Sequence, residues 1–161
     1  MMEWRNTVLK IFVDADACPV KAEIFKVALR YKLSVFVVSN AAIAVPRHQL
    51  IESIVVPGGF NSADDWIVDQ VSQMDIVITE DIPLAGRCIE KAAKVIGTRG
   101  NVFTETAIGE SLASRELFSQ LRDQGVISGG PSPFRDQDRS KFLQRLDQTI
   151  NEVMKLSRRL K

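Results

Sequence analysis

Five carboxylates, Asp14, Asp16, Asp64, Asp65 and Asp81, are the residues of this chain whose type and spacing could do chemistry. Asp14 and Asp16 end the apolar run Ile11-Phe12-Val13, and Asp81 follows the run Ile76-Val77-Ile78. Asp64 and Asp65 lie at the expected start of a helix. Four or five acids in one crevice cannot all stay ionised, because each negative neighbour raises the next group's pKa, and a divalent cation is the simplest remedy. The single histidine, His48, and the two cysteines, Cys18 and Cys88, offer neither a zinc framework nor a histidine relay for a serine or cysteine nucleophile. Oxygen donors alone favour one or two Mg²⁺ or Mn²⁺ ions. Catalysis, where there is any, falls to the carboxylates.

The elements that would gather these acids can be read from periodicity. Ile11–Val13 is a short, fully buried strand, and Pro19 suits the first turn of a helix over 20–31, where Val20, Ile24, Val27, Ala28 and Tyr31 recur at helical spacing. Ser34–Ser39 and Ile51–Val56 are two further strands, the second closed by Pro57-Gly58-Gly59. A helix should start at Ser62, which with Asp65 resembles a capping box, and run to about Gln73. Asp75–Thr79 is a fourth strand, 83–93 a helix, and Lys94–Gly97 a short fifth strand. A helix is expected over 108–124, a stiff turn over 129–133, and a last helix from about Asp138 to Leu156. This alternation implies right-handed βαβ units: an α/β, three-layer architecture with a mainly parallel sheet of about five strands and helices on both faces. Parallel topology places Asp14, Asp16, Asn40, Asp64, Asp65 and Asp81 on one edge of the sheet, where ligands of open α/β folds bind.

Each residue also has a plain structural reading. Asp16 would cap the helix that Pro19 opens, Asp14 would neutralise a buried base, and Asp64 and Asp65 would favour a helix dipole. Asp81 would be a loop acid or a cap. Lys21, Arg99 and Asn101, candidates for phosphate contacts together with Asn40, would be ordinary residues near turns. Trp66 fits a core better than a base-stacking platform, and Cys18 fits packing.

At 161 residues one domain is expected over 10–156, with 1–9 an N-terminal extension and 157–161 a basic tail. The formal net charge of +1 is unevenly spread: from Arg135 onward there are eight Lys or Arg against four Asp or Glu. That segregation makes Arg139, Arg145, Arg158 and Arg159 candidates for contact with a nucleic acid. No apolar run approaches a bilayer span, and Met1–Thr7 lacks the apolar core of a secretory signal. A cytoplasmic protein without a membrane partner is expected, its oligomeric state left open, homodimer included.

The stretches 13–20 (VDADACPV), 63–67 (ADDWI), 78–85 (ITEDIPLA) and 130–134 (GPSPF) closely resemble the bacterial YaiI/YqxD family over roughly 10–147. That family's pattern in turn is similar to PIN-like nucleases, in which acids following parallel strands hold Mg²⁺ or Mn²⁺ for RNA cleavage. The resemblance implies a PIN-like fold with Asp14 as first-strand ligand, Asp64 or Asp65 as the acid of the middle helix, and Asp81 as the acid after the fourth strand. Asn61 stands where the pattern leads one to expect Asp. The reaction so implied is metal-dependent hydrolysis of a phosphodiester, with Asp16 or Asp65 holding a second ion or orienting water. Two rivals remain: a haloacid-dehalogenase-like phosphatase, suggested by Asp14-Ala15-Asp16 and Val38-Ser39-Asn40, and a non-catalytic RNA- or protein-binding module with a PIN-like shell.

Overall fold

Ile11, Phe12 and Val13 are all but inaccessible to solvent, as a strand covered on both faces requires. The computed structural model of the protein describes residues 9–16, 18–59, 61–110, 112–114 and 133–159, without the side chain of Arg159. In chain order it has β1 (Lys10–Asp14), α1 (Lys21–Tyr31), β2 (Ser34–Ser39), β3 (Ile51–Val55), α2 (Ser62–Gln70), β4 (Ile76–Ile78), α3 (Ile82–Glu90), β5 (Lys94–Ile96) and β6 (Val102–Phe103). Residues 105–110 and 112–114 are helical, and a long C-terminal helix spans Asp136–Arg159. The expected helix beyond 114, the turn at 129–132 and the N-terminal extension up to residue 8 lie outside the described residues.

The sheet order is β3-β2-β1-β4-β5-β6, parallel except for β6, which runs antiparallel to β5. Alternate residues of the strands supply two cores. Ile11, Val13, Val35, Val37, Ile76 and Ile78 pack under α1 and the C-terminal helix, against Ile24, Val27, Phe142, Leu146 and Ile150. Phe12, Val38, Val77 and Val95 pack under α2 and α3, against Ile67, Leu84, Ala85 and Cys88. The architecture is the three-layer α/β arrangement expected of a PIN-like domain. Among the described residues no helix is long and apolar enough to cross a membrane.

Some local readings change. Helix α1 begins two residues after Pro19, its N-cap is Val20, and no side chain caps it, so Asp16 is not a helix cap. Helix α2 is entered through Asn61 at φ 73°, and the Ser62 hydroxyl donates back to the Gly59 carbonyl at 2.8 Å, so there is no capping box. It stops at Gln70, short of Gln73, because Asp75 draws the Ser72 N–H into a turn at 2.9 Å. The sixth strand was not foreseen: two residues are too few to show a period.

Candidate functional site

Strand β1 is flanked by β2 on one side and β4 on the other, and the chain crosses over opposite faces to reach them. The gap beyond the carboxyl ends of β1 and β4 is therefore the switch point of the sheet, the place where such folds bind ligands. The pairing of Val13 with Ile78 puts Asp14 level with Thr79. The buried Thr79 hydroxyl donates to Asp14 Oδ2 at 2.7 Å and accepts the Asp81 N–H at 2.9 Å. Asp81 Oδ1 in turn accepts the Leu84 N–H at 2.9 Å, capping α3, whose first turn contains Pro83. One hydroxyl thus ties the Asp14 carboxylate at the end of β1 to the backbone of Asp81, the N-cap of α3. The plain reading of Asp81 as a cap is correct and does not exclude the other, since the capped carboxylate also lines the crevice.

Helix α2 brings the third acid. Asn61, in the left-handed region that Asn and Asp tolerate better than most residues, turns the chain so that Asp64 reaches the same opening. A first-turn position should lower the Asp64 pKa through the helix dipole. Instead burial, then the charges of Asp81 and Asp14, raise it from 3.8 to about 6. Asp14 is also raised, first by burial and then by Asp16 and Asp81, against the opposing hydrogen bond from Thr79. Asp14, Asp16, Asp64 and Asp81 are therefore electrostatic neighbours. The pocket they line, of about 280 Å³, also takes in Asn40 and opens into a larger crevice of about 1030 Å³.

Asp65 is not part of this group. It is exposed and pairs with Arg87 of α3 at 2.9 Å. Lys21 donates to the Cys18 carbonyl at 3.0 Å, and Asn101 lies in a separate groove beside the C-terminal helix. Arg99 borders the larger crevice while paired with Asp138 at 2.9 Å. Of the candidate basic contacts, Arg145 shares that groove with Arg99 and Asn101 and donates to the Gly100 carbonyl. Arg139 is instead held by Glu23 at 3.0 Å and the Pro19 carbonyl at 3.1 Å, and Arg158 lies about 28 Å along the helix from Arg139. Trp66 packs edge-on to Phe12, with ring centroids 6.1 Å apart, so its role is in the core. Burial pushes the Cys18 thiol up, in keeping with packing. Sequence reading missed the buried Thr79, which positions Asp14 and Asp81, and missed Glu80, Arg87 and Phe134 as lining residues. Glu80, which accepts from the Thr98 N–H and hydroxyl, carried a signal in its place next to Asp81.

The donor chemistry fits a hard cation, and the raised carboxyls are groups that a cation would relieve. Among the described residues no three His, Cys, Asp or Glu side chains form a group that could hold a metal ion by themselves. One or two carboxylates, with water and substrate phosphate completing the shell, are a donor set of the kind a magnesium-like ion accepts.

Comparison with known proteins places the chain. A UPF0178 protein of Rhodospirillum centenum is 52% identical over 150 residues, covering 91% of this chain and 97% of the relative. One from Rhodospirillum rubrum is 49% identical over 146 residues, covering 90% and 97%, and one from Bradyrhizobium diazoefficiens is 48% identical over 150 residues, covering 93% and 90%. No solved structure matches. The model of a family described as uncharacterized BCR, YaiI/YqxD family, matches residues 12–152, and the chain belongs to that family.

Proposed function

We propose that the protein is a metal-dependent hydrolase of phosphodiester bonds, with RNA as the substrate class. One observation carries the reading: Asp14, Asp64 and Asp81, from three separate elements, meet at the switch point of a parallel sheet, and Asp14 and Asp64 stay raised although Arg87 lies near enough to Asp64 to oppose the shift. Asp14 and Asp81 would hold Mg²⁺ or Mn²⁺, with Asp64 beside them and Asp16 at the rim. When bound, the ion supplies acidity to water and offsets charge on the phosphoryl oxygens. Thr79 orients Asp14 by donating to Oδ2, and Asp81 is held by the helix it caps, so neither acid needs to reorganise when substrate arrives. Asp64, raised to about 6 while no cation lies beside it, would give up its proton as an ion binds and so add its charge to the site. No histidine is required. The larger crevice beyond, of about 1030 Å³, has room for a nucleotide on either side of a phosphodiester.

The test is cleavage of a labelled single-stranded RNA by the pure protein with Mn²⁺, beside Asp14→Asn and Asp81→Asn. Asparagine keeps the acceptor for Thr79 in one case and the helix cap in the other, so both variants should fold. The expected result is a loss of about 100-fold or more in each. Cleavage that survives both changes, or its absence from the wild type, would overturn the reading; turnover of a small phosphomonoester in place of RNA would favour a phosphatase.

A further inference from the structure

A second concave surface lies next to the acid crevice and has the opposite chemistry. Lys141, Gln144, Arg145 and Gln148 form one stripe of the C-terminal helix at spacings of three and four residues. With Arg99 and Asn101 of the turn between β5 and β6 they line a groove of about 330 Å³ that has three cations, three amides and no carboxylate. Arg99 is paired with Asp138 at 2.9 Å, while Lys141 and Arg145 have no carboxylate partner among the described residues.

The groove is built, not a chance scatter of surface side chains. Gly100, at φ +86°, lies so close to the helix that a Cβ would meet the Lys141 carbonyl oxygen at 2.8 Å. Its own carbonyl accepts Arg145 Nε at 3.3 Å. On the other side, a Cβ at Gly97 would collide with the side chains of Glu80 and Asn101, and Glu80 grips Thr98. The same turn is thus clamped to the acid crevice at one edge and to the helix at the other, and Arg99 borders both openings.

We infer that this groove is a phosphate-holding track for single-stranded nucleic acid, which leads the strand into the acid crevice. The inference rests on the hydrolytic reading above and supplies what that reading lacks. A crevice of like-charged acids repels a polyanion, so flanking cations must hold the strand while its scissile phosphate approaches. From residue 141 to 148 the stripe extends for about 10 Å, long enough to engage a chain and not just a lone phosphate. The amides of Asn101, Gln144 and Gln148 both donate and accept, which suits the mixed edges of unpaired bases and sugars. A concave slot also suits a single strand better than the convex backbone of a duplex.

The test is fluorescence anisotropy of a 5′-labelled 12-nucleotide oligouridylate with the full chain in EDTA, so that cleavage plays no part. The variants are Lys141→Glu and Gln148→Glu, both at exposed positions, with Lys26→Glu, exposed on α1 and outside the groove, as a control for net charge. Wild-type affinity should fall as salt rises. Lys141→Glu should weaken binding at least about tenfold and reduce the slope of log affinity against log salt by about one, while Lys26→Glu stays within about twofold. Groove variants that bind like the wild type overturn the track, as does a wild type that fails to bind. It is also overturned if labelled polyglutamate binds as tightly and is equally sensitive to Lys141→Glu, which would mark a general polyanion surface. Groove-dependent binding without cleavage by the wild type in Mn²⁺ keeps the track and rejects hydrolysis. Cleavage with an unaltered KM in Lys141→Glu rejects the track and keeps hydrolysis.

Discussion

Asp75 and Asp14 lie at opposite ends of one pair of neighbouring strands, and the protein treats their charges in opposite ways. Asp75, 2% exposed before β4, accepts the N–H of Lys10 and of Ser72, each at 2.9 Å, and has the Lys10 ammonium 3.3 Å away. Its charge is fully compensated, and it ties the start of β1 to the turn before β4. Asp14, at the far end, has one side-chain donor in Thr79 and is surrounded by Asp16, Asp64 and Asp81. A compensated buried acid holds a fold together, whereas an uncompensated group of acids costs stability and persists where a ligand will complete it.

The largest effect that could break this contrast is at Asp75. Asp75→Ala strands the Lys10 ammonium and two backbone donors, and should cost about 3 kcal/mol in denaturant unfolding; a loss below about 1 kcal/mol would dissolve the comparison. At the other end, Mg²⁺ at ten times its dissociation constant should stabilise the wild type by about 1.4 kcal/mol in thermal melts, and the double variant Asp14→Asn, Asp81→Asn should gain nothing. Smaller still is the response of Asp64→Asn in EDTA. Because the folded carboxyl titrates at about 6 against 3.8 for the unfolded chain, the folded state holds a proton between those values that the unfolded state has lost. That contribution is fully present below about pH 3.8 and is lost progressively as pH rises to about 6. Taking the two as equal at about pH 3, the variant should therefore be more stable than wild type at pH 7.5, by under about 1 kcal/mol since solvent screens this partly open group, with about half of that gain present at pH 5. Least of all, Asp65→Asn should change stability by at most about 0.5 kcal/mol and leave the Mg²⁺ response intact, as its partner Arg87 is a surface pair.

The layers and the gathering of Asp14, Asp64 and Asp81 were legible because both follow from periodicity and parallel topology. Ile11–Val13, Val35–Val38 and Ile76–Ile78 read as buried strands, and a parallel sheet must bring their carboxyl ends together. What could not be read depends on direction within a turn. Asp64 and Asp65 are adjacent in a helix, so they project about 100° apart, and which of them faces the crevice depends on how Asn61 sets the helix entry. Asp16 looks like a cap until the helix is seen to start at Lys21. Thr79 gave no signal because its part rests on the register between β1 and β4, which pairs residues 65 apart in sequence.

The bond from the Leu84 amide to Asp81 has a consequence for motion. Since the same carboxylate fastens the first turn of α3 and borders the crevice, anything that draws its electrons toward the pocket weakens its hold on that turn. The Leu84 amide proton is thus a built-in gauge: its rate of exchange with deuterium reports, from inside the helix, whether the pocket is loaded.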